Sequence, residues 1–403
     1  MRILYHHRTQ AEDGQAVHIR ALMGAFRALG HEVREVALVP RGSEPSTAPS
    51  VATSAGKSTA AAPPRAGLSW VARAPRFARE LAEYGYGRFA RGRLVRAARE
   101  FAPDFVYERY AFGNTAGVHA ARVLALPLVL EVNSPMVLEL ARTRGLSFPG
   151  LARRVETGIF RGATLVCAVT GVLADMLAEL GVARERLIVT PNGVDLERYA
   201  YGPDARARAH AALGLAPERA SEPALVLGFV GFYRDWHRLD LVLEAMRAPE
   251  LASARLVLVG EGPAQAELER RARELALEAR VHFAGPRAHA DVPALLPAFD
   301  VALVPAINPY ASPLKLFEYM AAGLAVIAPD QPNLREVLAH EANALLVPAG
   351  DAAALRAALV RLAGDAALRA RLGAAARARV LERDLTWRGN ARRVIAAVEG
   401  LAR

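Results

Sequence analysis

The sequence is poor in cysteine and lysine, and it holds no long apolar stretch. Its single cysteine, Cys167, excludes a disulfide within the chain and a zinc site built from four cysteines. Cys167 stands in an apolar run, which favours a buried strand residue over a nucleophile. No uninterrupted apolar run approaches the ~20 residues that span a membrane, and the Met-Arg-Ile-Leu-Tyr start lacks a signal-peptide pattern. We therefore expect a cytoplasmic protein.

Lysine is the scarcer of the two strongly basic residue types. Only Lys57 and Lys315 occur among the 51 basic residues, and the remainder are arginines. The abundance of Ala, Gly and Arg indicates a GC-rich coding bias, so arginine richness carries little functional information and a retained lysine carries more. The net charge of +10 favours anionic partners such as nucleotide phosphates, lipid headgroups or nucleic acid.

Short apolar runs alternate with longer amphipathic stretches along the chain, which is the pattern of βαβ units. This alternation predicts an α/β fold in which parallel sheets are covered by helices on both faces. With 403 residues, of which 53% are hydrophobic, the chain can form two or three domains. The predicted strands are 2–5, 33–39, 105–108, 128–132, 164–169, 187–190, 225–230, 256–259, 281–284, 301–304, 325–327 and 344–347.

The alternation is interrupted over 198–223, a stretch without strand character that holds several glycines and prolines. We place the domain junction there. The prediction is an N-terminal domain over 1–200, a second domain over 201–383, and a C-terminal helix over 384–403 that packs back toward the N-terminal domain. Residues 41–67 are rich in Ser, Thr, Ala, Pro and Gly, and we expect them to form a flexible insertion.

Arginines and aromatic residues interleave over 69–99. One interpretation is a surface that contacts the acceptor or a membrane, as a peripheral protein at the inner face of the plasma membrane would. The other is a solvated helical face whose arginines reflect coding bias. We favour the solvated face and keep membrane contact as the alternative.

Two glycine-containing turns follow strands in the second half of the chain. Ligands of open α/β sheets bind at the carboxyl ends of the strands. Gly260 and Gly262 follow one strand and would let the backbone approach a ligand, although any strand-to-helix turn favours glycine. Gly285 ends the next strand before Arg287 and could supply backbone contacts to a base, and an ordinary turn is an equally good interpretation.

The densest motif of the chain surrounds Lys315. Ser312 is suited to the N-cap of a helix, and Pro313 to its first position. Free backbone N–H groups of the first turn and the positive end of the helix dipole predict a phosphate cradle, to which Lys315 adds a full charge. Glu318 lies one turn further on the same face, where a carboxylate can accept hydrogen bonds from both hydroxyls of a ribose. The alternative is an intrahelical ion pair between Lys315 and Glu318.

In this order the motifs resemble the donor domain of the retaining glycosyltransferases of family 4, which have the GT-B fold. The matching pieces are Gly260–Pro263, Val281–Gly285, Ala298–Pro305, Glu318–Gly323 and Val326–Asp330. The resemblance implies two Rossmann-like domains facing across a cleft, a nucleotide-diphosphate sugar as donor, and neither a cofactor nor a divalent metal. It also implies transfer to a glycan, lipid-linked or small-molecule hydroxyl with retention of configuration, and no nucleic-acid partner.

The sequence departs from the family at two places. Tyr310 stands where many members have a second glutamate, and His237 stands where many have the lysine of a Lys-Gly pair that clamps the donor phosphates. We expect Arg234, Arg238 and Lys315 to share the pyrophosphate charge instead. The residues expected to be catalytic are Arg234, Lys315 and Glu318, with Glu318 binding the ribose by resemblance. The expected donor contacts are Gly14, Gly231, Arg238, Gly260, Gly262, Gly285, Arg287, Tyr310, Ser312, Pro313, Leu314 and Leu316.

By the same resemblance, the N-terminal half supplies the acceptor side, with Gly14 in a loop that faces the diphosphate. His18, Glu131 and Asn133 are the expected acceptor contacts, and a helix-surface or ion-pair role is an alternative of comparable weight. Residues 190–195 resemble the strand end between the domains, which we interpret as structural first. A retaining enzyme of this type needs no general base, because the leaving phosphate can take the acceptor proton.

Three other functions are compatible with an α/β fold of this kind. An NAD-dependent dehydrogenase would need a Gly-x-Gly-x-x-Gly fingerprint after the first strand, where only Gly14 occurs, so we discount it. A nucleotide-sugar epimerase would need further acid and base carboxylates that we do not find. A catalytically degenerate nucleotide-sugar-binding protein, or a partner of another glycosyltransferase, stays open because of Tyr310 and His237.

Overall fold

The computed structural model describes residues 1–9, 14–37, 75–215 and 224–401. The insertion predicted over 41–67 and the start of the 69–99 segment lie outside these residues. The described strands are β1 Arg2–His7, β2 Glu32–Ala37, β3 Phe105–Arg109, β4 Leu128–Val132, β5 Leu165–Ala168, β6 Leu187–Val189, β7 Val226–Val230, β8 Arg255–Val259, β9 Val281–Gly285, β10 Val301–Leu303, β11 Ala325–Pro329 and β12 Leu345–Val347.

Helices separate most of these strands. They are α1 Gly14–Ala28, α2 Arg76–Phe101, α3 Ala116–Leu124, α4 Met136–Thr143, α5 Pro149–Gly162, α6 Gly171–Glu179, α7 Ala205–Ala212, α8 Leu239–Ala245, α9 Gln265–Glu274, α10 Val292–Leu295, α11 Leu314–Ala321, α12 Pro332–Arg335, α13 Ala352–Gly364, α14 Ala366–Glu382 and α15 Trp387–Gly400. None of these helices combines the length and apolar character needed to cross a bilayer.

The chain forms two compact units. The first comprises 1–169, 173–189 and 391–403, and the second comprises 170–172 and 190–390. The division falls at Thr190, earlier in the chain than the predicted boundary after residue 200. The reason is that Val194 and Tyr199 pack into the hydrophobic core of the second unit.

The first unit contains a six-stranded sheet in the order β2-β1-β3-β4-β5-β6, and the described pairings are parallel. Every residue of β3 and β4 is buried, as expected for strands with helices on both faces. Along α1 the buried residues Ile19, Leu22, Met23 and Phe26 recur at the spacing of one helical face, which packs on the core.

The second unit contains a six-stranded parallel sheet in the order β12-β11-β10-β7-β8-β9. This is the doubly wound Rossmann order, in which the direction of winding reverses between β7 and β10. Two hydrophobic clusters cover its two faces, one including Phe317 and Met320 of α11 and the other including Leu243 of α8. The predicted α/β class with two Rossmann-like domains is therefore confirmed.

All twelve strands predicted from the sequence are present within about two residues of their predicted bounds. They were predictable because a strand buried on both faces is a short, continuous apolar run bounded by turn residues.

Candidate functional site

A polar site lies at the carboxyl end of β7, where the winding of the second sheet reverses. Gly231 follows β7, and its backbone φ of +143° is open to glycine alone. A side chain there would also meet the ammonium of Lys315, because a Cβ on Gly231 would lie 2.8 Å from Lys315 Nζ. Gly231 and Lys315, both predicted donor contacts, are thus neighbours at the switch point where doubly wound sheets bind ligands.

Helix α11 holds Lys315 in this place. The buried hydroxyl of Tyr319 accepts a hydrogen bond from the backbone N–H of Val230 at 2.8 Å, which fastens α11 to the end of β7. Lys315 Nζ then lies 3.8 Å from the centroid of the Phe229 ring. The helix ends at Ala321 with Ala322 as its C-cap, and Gly323 follows with a φ of +72°, the usual exit from a helix.

The ammonium of Lys315 forms no hydrogen bond or ion pair with the described residues, and its side chain is half-buried. Burial lowers the pKa of Lys315 to about 7, and the nearby Glu318 carboxylate offsets only part of this effect. A positive charge that is partly shielded from solvent and has no counterion favours binding of an anion. The intrahelical ion pair considered as the alternative is not formed, because Glu318 bonds elsewhere.

The start of α11 differs from its prediction. The N-cap is Pro313, with extended backbone, and α11 begins at Leu314. Pro313 has no N–H, so the free backbone donors are those of Leu314 and Lys315, which have no acceptor in the described parts of the chain. Leu316 is not a donor contact, because its N–H bonds the Pro313 carbonyl and its side chain is fully buried.

Ser312 does not cap α11. Its hydroxyl accepts a hydrogen bond from the backbone N–H of Asn192 at 3.0 Å, and its carbonyl accepts from the Asn192 side chain. Asn192 therefore anchors the residue that precedes the helix. The sequence indicated Asn192 only as part of a turn, since a contact across 120 residues leaves no local pattern.

The loop 231–238 carries the predicted arginines. Arg234 is exposed, and its guanidinium lies 4.6 Å from the Phe232 ring and 5.1 Å from the Trp236 ring. No acidic partner of Arg234 occurs among the described residues, so it remains available to an anion. The Arg238 guanidinium makes three hydrogen bonds of 3.0 to 3.2 Å with Asp240. A phosphate would have to share or displace this partly exposed ion pair, and that Arg238 shares the pyrophosphate charge stays a prediction.

His237 lies at the base of this loop. It is buried, and its ring packs edge-on against Phe229 with centroids 5.2 Å apart. Burial, assisted by the charge of Lys315, lowers the pKa of His237 to about 3. His237 is therefore neutral at physiological pH and does not replace the positive charge that many family members have at this position.

Gly260 and Gly262 serve contacts within the protein. A Cβ on Gly260 would lie 2.1 Å from the Gly231 carbonyl oxygen, and one on Gly262 would lie 2.3 Å from the Tyr233 carbonyl oxygen. The backbones cross this closely because the Tyr233 N–H donates to the Glu261 carbonyl at 2.7 Å. Both glycines thus have a steric role in placing the 231–238 loop, apart from any ligand.

Replacing Gly262 with alanine should destabilise the protein by about 1–3 kcal/mol, because the new methyl group would overlap backbone atoms that cannot move freely. Gly364 is the matched control, since a Cβ there would meet nothing within 4 Å. Thermal unfolding of both variants checks this prediction. Equal melting temperatures for the two variants would contradict it.

The remaining predicted donor contacts are Gly285, Arg287 and Tyr310 in the second unit and Gly14 in the first. Gly285 ends β9 with a φ of +71° and open space at its Cα, and Arg287 is exposed just beyond it. Arg287 has no acidic partner in the described chain. Tyr310 is buried, with 7% of its surface exposed. Gly14 begins α1 in the first unit.

Glu318 is held by a side chain that the sequence patterns did not indicate. Its Oε1 accepts a hydrogen bond from His289 Nε2 at 2.6 Å. Tyr199 lies nearby: burial, and then the Glu318 charge, raises the pKa of Tyr199 well above its usual value, so its hydroxyl stays protonated. Glu318 itself is 6% exposed.

The three predicted acceptor contacts form one network in the first unit. Glu131 accepts hydrogen bonds from His18 Nε2 at 2.9 Å, from the Tyr107 hydroxyl at 2.8 Å and from Asn133 Nδ2 at 2.5 Å. It also forms an ion pair with Arg109. Burial would raise the pKa of Glu131, but His18 and Arg109 outweigh it and hold that pKa well below its usual range. Glu131 is 1% exposed, which supports the ion-pair interpretation and leaves direct acceptor contact a prediction.

The affinity for a nucleoside diphosphate should depend on the pH through Lys315. A bound diphosphate favours the charged ammonium, whereas free Lys315 loses its proton above about pH 7. Affinity should therefore be full below pH 7 and fall as the pH rises above it, by at most about tenfold per unit. Calorimetric titration with uridine diphosphate between pH 7 and 9 checks this, because its phosphates, with a last pKa of ~6, stay ionised there.

The control for this pH dependence is Lys315→Arg, whose guanidinium keeps its charge throughout the range. Its affinity should stay constant from pH 7 to 9. The same fall in both proteins would contradict the assignment to Lys315.

The fold and site define a two-domain α/β protein in which Lys315 and the start of α11 lie at the switch point of the second sheet. Residues 13–198 match the family model of "Glycosyltransferase Family 4", and residues 224–365 match that of "Glycosyl transferases group 1". Together these matches cover most of the chain, which belongs to the family 4 glycosyltransferases.

Named relatives include a D-inositol 3-phosphate glycosyltransferase of Salinispora tropica, 29% identical over 74% of this chain and 63% of the relative. A 2-deoxystreptamine glucosyltransferase of Streptomyces kanamyceticus is 29% identical over 62% of this chain and 65% of the relative. The chain thus matches a little less than two thirds of the length of these relatives.

Solved structures share the fold across nearly the full chain. The Anabaena protein HepE, in complex with UDP, superposes with a TM-score of 0.72 at 19% identity, covering 99% of this chain and 100% of its own. WaaG, described as a glycosyltransferase involved in lipopolysaccharide biosynthesis, superposes with a TM-score of 0.67 at 18% identity, covering 98% and 99%. These similarities confirm the GT-B architecture.

Proposed function

We propose that this protein is a glycosyltransferase that moves a sugar from a nucleotide-diphosphate sugar to a hydroxyl acceptor with retention of configuration. The observation that carries the proposal is the half-buried Lys315 ammonium, which lacks a counterion in the described chain and lies beside the N-terminus of α11 at the switch point of the second sheet. Membership of family 4 supports the same activity.

In the proposed reaction the anomeric C–O bond breaks and negative charge builds on the departing diphosphate. Catalysis is then mainly electrostatic. Lys315 and the free N–H groups of Leu314 and Lys315 stabilise the diphosphate, and exposed Arg234 adds a second cation. Glu318 binds the ribose hydroxyls. Because these cations belong to the protein, we expect no requirement for a divalent metal ion.

The acceptor proton goes to the leaving phosphate in this proposal, so no side chain is needed as a general base. Glu131 suits a positioning role, since its carboxylate is buried and occupied by four donors. An acceptor would then contact this hydrogen-bond network through Asn133 and His18. Glycan, lipid-linked and small-molecule acceptors all remain candidates.

A nucleotide-sugar binder without transferase activity is the second candidate. The neutral His237 and the buried Tyr310 favour it, because both replace charged residues that are common in the family. The two candidates share donor binding and differ in turnover, so a single set of assays separates them.

The test incubates the protein with uridine-, guanosine- and adenosine-diphosphate sugars and a panel of acceptors. Inositol 3-phosphate and 2-deoxystreptamine belong in the panel because the two relatives described above are glycosyltransferases named for these compounds. We expect release of nucleoside diphosphate that persists with EDTA, and a product whose NMR spectrum shows the donor's anomeric configuration. Donor binding without release would favour the binder, and failure of every donor to bind would contradict both candidates.

Membrane contact through 69–99 stays a prediction. In the described part of this segment, Phe77 and Phe89 are 52% and 62% exposed, and Arg88, Arg96 and Arg99 are exposed and have no acidic partner among the described residues. Co-sedimentation with vesicles of anionic and of neutral phospholipid would decide between the membrane surface and the solvated face, since only the former predicts binding to the anionic vesicles.

A further inference from the structure

One side chain fixes the orientation of the Glu318 carboxylate. His289 Nε2 lies 2.6 Å from Glu318 Oε1, and the carboxylate is acceptor-only, so the histidine nitrogen donates. Glu318 is buried, so its carboxylate cannot rotate without breaking a hydrogen bond that water does not readily replace.

The histidine and the end of α11 are themselves anchored. The guanidinium of Arg198 donates to the backbone carbonyls of His289 and Ala290 at 3.3 and 2.8 Å, which holds the loop that carries the histidine. The guanidinium of Arg377 donates to the Tyr199 carbonyl at 3.1 Å and also to the carbonyl of Ala321, the last residue of α11. Because Arg198 and Tyr199 are adjacent in the chain, one network connects the loop that carries His289 to the helix that bears Glu318.

A carboxylate offers about four lone-pair sites. His289 occupies one of them, and enough remain to accept from the 2′- and 3′-hydroxyls of a ribose. We propose that His289 is a positioning residue that makes the site select a ribonucleotide over a 2′-deoxyribonucleotide. This inference rests on the proposed function, because it takes the ribose of the donor as the partner of Glu318.

The experiment measures the dissociation constants of a nucleoside diphosphate and of its 2′-deoxy form for the wild type and three variants. Uridine diphosphate is the first probe, with the guanosine and adenosine forms tried in turn. A hydrogen bond to a charged group is worth about 1.5–3 kcal/mol, so the wild type should prefer the ribonucleotide by about 10- to 100-fold. In His289→Ala this preference should fall at least fivefold, and affinity for the 2′-deoxy form should fall less than affinity for the ribonucleotide, because the 2′-deoxy form keeps only its 3′-hydroxyl.

Two further variants control for a purely structural effect. His289→Gln keeps an N–H donor toward Glu318 and should restore at least half of the preference, whereas Asp291→Ala alters an exposed residue of the same loop and should leave it unchanged. If His289→Ala weakens both nucleotides equally, or if the glutamine variant behaves like the alanine variant, the inference is wrong. If no nucleoside diphosphate binds the wild type, the proposed function fails and this inference fails with it.

Discussion

Replacing Lys315 with alanine is expected to lower the turnover of sugar transfer by about 10²- to 10³-fold, which is typical of removing one preorganised group that stabilises developing charge. The reason is that Lys315 supplies the only ammonium at the start of α11, 2.8 Å from the position of a Cβ on Gly231. Folding should not suffer, because the variant removes a charge that burial disfavours, as the lowered pKa of about 7 shows.

Steady-state transfer rates, with melting temperatures alongside, check this prediction. Arg247→Ala is the matched control, since it removes an exposed cation of the same unit whose partner is Glu244. It should retain the wild-type rate. Lys315→Arg should recover part of the activity, because it keeps the charge but not the size of the group. Wild-type turnover in Lys315→Ala would show that the site is wrongly assigned.

Replacing Glu318 with alanine should raise the KM for the donor by about 100-fold or more. Two hydroxyls of the ribose would lose a charged acceptor, and each such hydrogen bond is worth about 1.5–3 kcal/mol. The variant also leaves His289 without its acceptor, so a loss of stability of about 1–3 kcal/mol is expected as well.

The variant Glu318→Gln separates these two effects, because its amide oxygen can accept from one donor and keeps the side-chain volume. It should melt closer to the wild type and still bind the donor poorly. Glu267→Ala, an exposed residue on the surface of α9, is the control and should change neither property. A donor KM within twofold of the wild type in Glu318→Ala would contradict the ribose assignment.

The sequence predicted the parts of the site that depend on local patterns. Strands buried on both faces appear as short apolar runs, and a serine-proline pair before a run of helix-forming residues predicts a helix start. Because the order of strands and helices determines where a doubly wound sheet reverses, the same patterns placed Lys315 near a strand end. The fold and the neighbourhood of Lys315 were therefore predictable.

Local pairs could be predicted from the sequence, but contacts between distant segments could not. The sequence could have suggested the local pairing of Arg238 with Asp240, two residues away. In contrast, the hydrogen bonds of His289 to Glu318 and of Asn192 to Ser312 join separate loops whose meeting depends on the packed sheet. The assignment of Ser312 as N-cap failed for the same reason, since its hydroxyl is occupied by a residue far away in the chain.

A strand-end pattern can predict where a residue lies without predicting what it does. Glu131, with its four hydrogen-bond donors, is an example. The sequence indicated His18, Glu131 and Asn133 as separate candidates, and the folded sheet brings them together. Their burial could not be deduced from the strand-end pattern. The buried ion pair with Arg109 supports the ion-pair interpretation of Glu131.

A crystal structure with a bound nucleoside diphosphate tests the central claim most directly. The terminal phosphate should lie within hydrogen-bonding distance, about 3 Å, of Lys315 Nζ and of the backbone N–H groups of Leu314 and Lys315. The ribose hydroxyls should donate hydrogen bonds to Glu318. A diphosphate bound elsewhere in the protein, with Lys315 unliganded, would contradict it.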